Sequence, residues 1–226
     1  MDKVYPSAEA ALADVPEGAT VLVGGFGSAG VPDALVRALA AKGVGGLTIV
    51  SNGTGEGESG LVHLFRNRQV RRVLASFPAP GRAPDFEQQY LAGEVELELV
   101  PQGTLAERIR AGGAGIAAFY TPTAVGTPLA EGKEHREFGG RTHLLEHAIR
   151  ADFALIRGHR ADPWGNVTYR KTGRNFNPMM AMAARVTVVE VEEIVPVGQL
   201  DPETVVTPSI FVQRVVLVPR RGRDLR

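Results

Sequence analysis

The 226-residue sequence contains no cysteine. This absence excludes disulfides, thiol catalysis and cysteine-ligated metals within the chain. Lysine and arginine together number 25, as do aspartate and glutamate, so the net charge is zero and no basic surplus predicts nucleic-acid binding.

The five histidines show none of the spacings typical of metal sites, and we expect no bound metal. No apolar run approaches the roughly 20 residues that a membrane-spanning helix needs. The first six residues do not resemble a signal peptide, so we expect a cytoplasmic protein that does not bind membranes.

Strand-like and helix-like stretches alternate through the first half of the chain. Residues 19–23, 47–50 and 70–75 are apolar and predict buried strands, whereas residues 94–100 alternate apolar and acidic side chains, as a half-exposed strand does. Helical stretches separate these segments. The alternation predicts βαβ units and a mostly parallel sheet. No low-complexity linker interrupts the chain, so residues 1–226 are expected to form one domain.

The character of the sequence changes after about residue 116. Residues 121–140 are rich in threonine, proline and glycine and predict an extended loop. Residues 152–159 and 167–171 flank the turn-forming run 162–166, which predicts a β-hairpin. The expected fold class is therefore α/β, an open and mostly parallel sheet flanked by helices, with an antiparallel β portion in the C-terminal half.

A glycine loop (residues 24–30) joins the strand at 19–23 to a helix that Pro32 and Asp33 open. Glycines let a ligand approach the backbone closely, and the N–H groups at a helix start attract anions, so an anionic ligand is expected here. The loop matches G-x-G-x-x-G, but Ser51-Asn52-Gly53 stands where a dinucleotide site needs an acid. A nicotinamide site is therefore disfavoured. A glycine turn required only for tight strand–helix packing remains open.

Gln102 follows the alternating strand directly, where a side-chain amide can donate to a developing oxyanion. The alternative is a turn residue that bonds to solvent or backbone. Thr104 could cap the next helix, with Glu107 completing a capping box, and the glycine-rich run 111–115 is expected to end it.

Two further groups of polar residues carry alternatives. Glu56 and Glu58 could be paired carboxylates or part of a solvated acidic loop. Arg174, Asn175 and Asn177 precede a predicted helix and could bind a carboxylate or phosphate, or could cap that helix and contact solvent.

Two long motifs resemble one known family. Residues 23–32 resemble the first signature of family I coenzyme A transferases, Gly-Gly-Phe-x-x-x-Gly-x-Pro. Residues 99–115 and 118–123 closely resemble the A subunit of 3-oxoacid (succinyl-CoA:acetoacetate type) CoA transferases, and the match continues in order to residue 194. The resemblance covers nearly the whole chain.

The resemblance implies a ping-pong transfer of CoA between carboxylic acids through a glutamyl-CoA thioester. In the family that glutamate lies in a Ser-Glu-Asn-Gly motif of the B subunit, and this chain has no such motif. The resemblance thus implies that a partner of the B type supplies the nucleophile, in a heterodimer or heterotetramer, and that this chain alone is inactive. A coenzyme A thioester is the expected substrate, and no permanently bound cofactor is expected.

The resemblance also assigns candidate site residues. Gln102 matches the family glutamine that helps to form the oxyanion hole, and it is the candidate catalytic residue. Asn52 is the candidate substrate-binding residue. The candidate CoA-binding residues are Gly24, Gly25, Phe26, Gly27, Ser28, Ala29 and Gly30.

The acid that accepts CoA stays open at this point. The family often has Ser-Asn-Asn-Ala-Gly where this chain has residues 51–55, and the segment around 128–136 is shorter than in many relatives. Acetoacetate, 3-oxoadipate, or acetate with a short acyl-CoA are the candidates. A non-catalytic module that binds a nucleotide or a sugar phosphate on a related α/β scaffold is the alternative from another functional class.

Overall fold

The computed structural model describes residues 2–78 and 81–219. Its strands are β1 (Val4–Tyr5), β2 (Thr20–Val23), β3 (Leu47–Val50), β4 (Val70–Ala75), β5 (Glu96–Leu99), β6 (Ala118–Thr121), β7 (His135–Phe138), β8 (Arg141–His147), β9 (Ala151–Arg157), β10 (Arg160–Ala161), β11 (Val167–Thr168), β12 (Ala184–Val191), β13 (Glu193–Ile194) and β14 (Arg214–Leu217). The α-helices are α1 (Ala8–Ala11), α2 (Asp33–Lys42), α3 (Val62–Arg66), α4 (Pro84–Leu91), α5 (Gln102–Ala114) and α6 (Asn177–Met182). Within the described residues, no helix is both long and apolar enough to cross a bilayer.

The central sheet has eight strands in the order β1-β14-β12-β9-β2-β3-β4-β5. Every neighbouring pair is parallel, which confirms the predicted sheet. Strands β3, β4 and β5 follow β2 in the chain and lie on one side of it in the sheet. Strands β12 and β14 follow β9 and lie on the opposite side. The strand order therefore reverses between β2 and β9, and open α/β sheets bind ligands beyond the carboxyl ends of strands at such a point.

Helices cover both faces of this sheet because successive strand residues point to opposite sides. Val21 and Val23 pack in a core with α1 to α4, whereas Leu22 packs in a second core with α5 and α6. All three side chains are buried. Burial on both faces explains why the central strands read as continuous apolar runs.

Two small sheets lie in the C-terminal half, as the predicted antiparallel portion requires. Strands β6, β8 and β7 form an antiparallel sheet, and β10 pairs with β11 antiparallel and with β13 parallel. Residues 121–140 are consequently not one extended loop, because they contain β7 and a short 3-10 helix.

The predicted hairpin was wrong in one of its arms. Residues 152–157 belong to β9, which is largely buried and lies inside the central parallel sheet, and the hairpin instead joins β10 to β11. The turn itself was predicted correctly, since Asp162 Oδ1 accepts the backbone N–H groups of Trp164 and Asn166, both at 3.0 Å.

Helix α5 begins differently from the prediction but ends within the predicted glycine-rich run. It starts at Gln102, immediately after Pro101, so Thr104 lies buried within the first turn and the capping box was wrong. Gly115 ends the helix in the left-handed conformation, whereas Gly112 and Gly113 lie inside it. A Cβ atom on Gly112 would lie 1.9 Å from the Ile149 carbonyl oxygen, so the glycine permits a close approach of the neighbouring chain segment.

Candidate functional site

A cavity of about 550 Å³ opens at the carboxyl ends of β2, β3 and β4, beside the start of α5. We call it the amide cavity. Carboxyl ends of parallel strands meet at one edge of a sheet, so the loops that follow them converge. Its walls are residues 23–28 and 31, residues 51–56, residues 59–61, Ser76, Phe77, Arg82 and Gln102. The structure thus brings together three groups of predicted site residues: most of the glycine loop, Asn52 and Gln102.

Gln102 is the first residue of α5, and its side chain is held by Asn52. The Gln102 amide nitrogen donates to Asn52 Oδ1 at 2.7 Å, and the Ser76 hydroxyl donates to the same oxygen at 2.8 Å. Asn52 is buried, whereas Gln102 is exposed to the cavity. An amide nitrogen carries two N–H groups, so one can bind Asn52 while the other donates to an acyl oxygen. Gln102 can therefore donate to an oxyanion while Asn52 holds its side chain in place.

The glycine loop separates the amide cavity from a second cavity of about 910 Å³. Gly24 to Ser28 line the amide cavity, whereas Ala29 and Gly30 line only the second one. We call the second one the basic cavity, because four cationic side chains line it against two acidic ones, Asp33 and Glu192; the cations are Arg37, Arg157, Arg170 and Lys171. The seven predicted CoA-binding residues therefore do not all face the same space.

Asn175 and Asn177 contact the backbone of the glycine loop. The sequence left open whether these residues bind an anion or cap a helix, and the structure instead shows contacts with a distant segment of the same chain. Arg174 is exposed beside them. The sequence draws attention to both asparagines but does not reveal this contact, because they are about 150 positions from the loop.

The start of α2 binds a carboxylate of this chain rather than leaving its N–H groups open to a ligand. Glu190 Oε2 accepts the backbone N–H of Leu35 at 3.1 Å, and the carboxylate is almost fully buried. Burial raises the pKa of Glu190 to about 7, despite the opposing effects of these N–H groups and of Arg157. The predicted anion site at this helix start is therefore filled by Glu190. The sign of this contact in the sequence is Glu190 itself, an acid within the valine-rich stretch that forms β12.

Two acidic residues of the sequence analysis lie in ordinary ion pairs. Glu56 contacts Arg82 at 2.8 Å, and Glu58 contacts Arg66 at 2.8 Å. These side chains are substantially exposed, which supports the solvated acidic loop rather than a carboxylate pair. Among the described residues that line the amide cavity, only Glu56 and Arg82 are charged.

The amide cavity also has aromatic side chains at its walls. Phe26 and Phe77 are 51% and 54% exposed, so part of each ring is open to a ligand in the cavity. Phe77 and Ser76 were missed by the sequence analysis. Both follow β4 directly, so the strand-end rule that selected residues 51–55 would also have selected them.

Comparison with known proteins then decides the family. The model of the family described as Coenzyme A transferase matches residues 5–217. The chain belongs to the coenzyme A transferase family. It is 52% identical over 218 residues to the A subunit of 3-oxoadipate CoA-transferase of Pseudomonas putida, covering 96% of this chain and 94% of that protein. It is 55% identical over 216 residues to the A subunit of succinyl-CoA:3-ketoacid coenzyme A transferase of Xanthomonas campestris pv. campestris (strain B100), covering 95% and 88%.

Solved structures show the same fold in other CoA transferases. The acyl-CoA transferase apoenzyme from Escherichia coli O157:H7 aligns with a TM-score of 0.87 at 23% identity, over 100% of this chain and 48% of that chain. This chain therefore spans about half the length of that protein. Glutaconate coenzyme A-transferase from Acidaminococcus fermentans aligns with a TM-score of 0.85 at 21% identity, over 96% and 76%. The predicted CoA transferase-like fold is confirmed.

Metal binding is the remaining question about this site. In residues 2–78 and 81–219, no group of three or more His, Asp or Glu side chains could hold a metal ion. The expectation that the chain binds no metal remains a prediction.

Proposed function

We propose that the chain is the A-type member of a two-subunit transferase that moves CoA from succinyl-CoA to a 3-oxoacid such as acetoacetate. A partner of the B type supplies the glutamate that carries CoA as a thioester. The complex is a heterodimer or heterotetramer, acts in the cytoplasm, and uses the coenzyme A thioester as a substrate without a permanently bound cofactor. The observation that carries the proposal is the Gln102–Asn52 pair, which presents an amide donor in a cavity of the fold that CoA transferases share.

The contribution of this chain is to stabilise charge during acyl transfer. When a carboxylate attacks the thioester carbonyl, the carbonyl oxygen gains negative charge until the C–S bond breaks and the CoA thiolate leaves. The second amide N–H of Gln102 donates to that oxygen, and Asn52 keeps the first N–H bonded throughout. The thiolate then attacks the acylated partner glutamate, which releases succinate and leaves the glutamyl-CoA thioester. The acceptor acid reverses both steps and takes the CoA.

The aromatic side chains suit a thioester substrate. Phe26 and Phe77 offer apolar surface against which the uncharged pantetheine arm or the acyl chain can pack. Among the described residues of this cavity, Arg82 is the cation, and Glu56 already pairs with it. We therefore propose that Arg82 exchanges Glu56 for the distal carboxylate of a dicarboxylate such as the succinyl group of the donor, whereas acetoacetate needs no such exchange.

A second acceptor is favoured by one specific finding. The Pseudomonas putida relative, 52% identical, is named as part of a 3-oxoadipate CoA-transferase. The acceptor 3-oxoadipate has a second carboxylate, which Arg82 could bind in place of Glu56. Acetoacetate has no such group, so Arg82→Ala should weaken the use of 3-oxoadipate more than that of acetoacetate.

The test is co-expression of this chain with a chain that contains Ser-Glu-Asn-Gly, followed by assay with succinyl-CoA and each acid. We expect acetoacetyl-CoA from the complex and none from either chain alone. Full activity of this chain alone would overturn the assignment of the nucleophile to a partner. A complex that uses neither 3-oxoacid would overturn the substrate assignment.

A further inference from the structure

We propose that Asn175 and Asn177 are positioning residues that fix the glycine loop in the place where it forms a wall of the amide cavity. The proposal rests on the proposed function, because the amide cavity is taken to be the site of acyl transfer. The residues themselves lie outside that cavity, and they act through the loop backbone.

Both polar atoms of the Asn175 side-chain amide bind the loop. Its Oδ1 accepts the Gly25 N–H at 3.2 Å, and its Nδ2 donates to the Ala29 carbonyl at 3.0 Å. The same amide is anchored to its own segment, since Oδ1 also accepts the Phe176 N–H and Nδ2 also donates to the Thr172 carbonyl. One half-buried side chain therefore ties both halves of the loop to residues 172–176.

Asn177 binds the end of the loop and is fully buried. Its Nδ2 donates to the Gly30 carbonyl at 3.1 Å and to the Gly173 carbonyl at 2.9 Å. Its Oδ1 accepts the Arg157 N–H at the end of β9 at 3.0 Å. Because β9 and β2 flank the reversal of strand order, Asn177 fills part of the crevice where such sheets otherwise bind ligands.

The asparagines also account for two of the glycines. A Cβ atom on Gly24 would lie 1.9 Å from Asn177 Oδ1, which is far inside contact distance. A Cβ on Gly30 would lie 2.4 Å from the Gly173 carbonyl oxygen, 2.8 Å from Asn175 Nδ2 and 2.9 Å from Asn177 Nδ2. Gly27, at the tip, has no atom within 4 Å of such a Cβ. The glycine pattern thus reflects close contact with the chain's own asparagines as well as any approach of a ligand.

The loop needs this support because it has cavities on two sides. Ser28, Val31 and Ser59 line both the amide cavity and the basic cavity, so the loop is a partition between them. Its own bonds are few: Phe26 and Ala29 exchange backbone hydrogen bonds, and the Gly24 N–H donates to Leu155. Without the asparagines the loop could shift toward either cavity. Misplacing a substrate-contacting wall by about 1 Å can cost on the order of 100-fold in rate.

The test uses Asn175→Ala, because Asn175 is half-buried and its loss spares the contact of Asn177 with β9. Asn175→Asp keeps the acceptor toward Gly25 but places an oxygen against the Ala29 carbonyl. Asn67→Ala is the matched control, since Asn67 also donates to a backbone carbonyl, that of Ala40, but lies away from the loop. Each variant is assembled with the partner chain, and amide hydrogen exchange over residues 24–30 is measured beside kcat and KM.

We expect exchange of the loop amides to rise at least tenfold in both Asn175 variants and kcat/KM for the CoA thioester to fall at least tenfold, with Asn67→Ala unchanged in both. Unchanged exchange would overturn the claim that Asn175 holds the loop. Faster exchange with unchanged kcat and KM would overturn its positioning role. If the wild-type complex transfers no CoA, the proposed function and the positioning role fail together, whereas the exchange comparison still decides whether Asn175 holds the loop.

Discussion

Replacing Glu190 by glutamine tests whether a buried carboxylate at the start of α2 makes the chain less stable as the pH rises. Several groups face this carboxylate. They are the backbone N–H groups of Leu35 and Ala34, the Asp33 carboxylate, and the Arg157 guanidinium, whose nitrogen lies 3.7 Å from Glu190 Oε1. Burial outweighs the favourable partners and raises the pKa of Glu190 from 4.5 to about 7.

The size and sign of the effect follow from this difference in pKa. The folded chain holds the proton more tightly than the unfolded chain, so the stabilisation is complete below pH 4.5 and is lost as the pH rises through about 7. The full effect is about 3 kcal/mol, of which about 2.5 kcal/mol falls between pH 5 and pH 8. Glutamine keeps an oxygen to accept the Leu35 N–H but does not ionise, so it removes the pH-dependent part alone.

Urea unfolding followed by circular dichroism at pH 5, 6, 7 and 8 measures the effect. We expect the free energy of unfolding of Glu190→Gln, relative to wild type, to rise by about 2.5 kcal/mol from pH 5 to pH 8. Glu192→Gln is the matched control, because Glu192 binds the same Arg157 at 3.2 Å but is partly exposed. A difference between Glu190→Gln and wild type that stays constant across the four pH values would refute the reasoning.

Three further predictions concern the site. Gln102→Ala should lower kcat of the assembled enzyme by about 100-fold if its amide stabilises the oxyanion, and an unchanged kcat would leave Gln102 with only a structural role at the start of α5. Gly24→Ala should destabilise the chain by about 1–3 kcal/mol in urea unfolding. In the double variant with Asn177→Ala, the loss of unfolding free energy should be at least about 1 kcal/mol smaller than the sum of the losses in the two single variants. Strictly additive losses would contradict the close contact of Gly24 with Asn177. Phe77→Ala should raise KM for the CoA thioester about tenfold with little change in melting temperature, because the ring is 54% exposed; an unchanged KM would remove it from the substrate surface.

Local pattern was sufficient for much of the fold. The predicted bounds of β3 and β4 are those of the structure, and Ser7 caps α1 by accepting the Ala10 N–H at 3.2 Å. These features depend on short apolar runs and on contacts within one turn of chain. The arms of the hairpin were harder to assign. Whether residues 152–157 form a hairpin or an inner strand depends on which distant strands lie beside them, and β2 and β12 supply those neighbours.

The sequence alone determined the family resemblance, the alternation that produces a parallel sheet, and the placing of the glycine loop, Asn52 and Gln102 at strand ends. These follow from residue order, because each depends on neighbours along the chain. Which side chains contact the glycine loop and the start of α2 was decided only by the tertiary structure. Glu190 reaches the start of α2 across 155 positions, and Asn175 reaches Gly25 across 150. Such contacts arise when parallel strands from both halves of the chain bring their carboxyl ends to one edge, and no local pattern records which side chains will meet there.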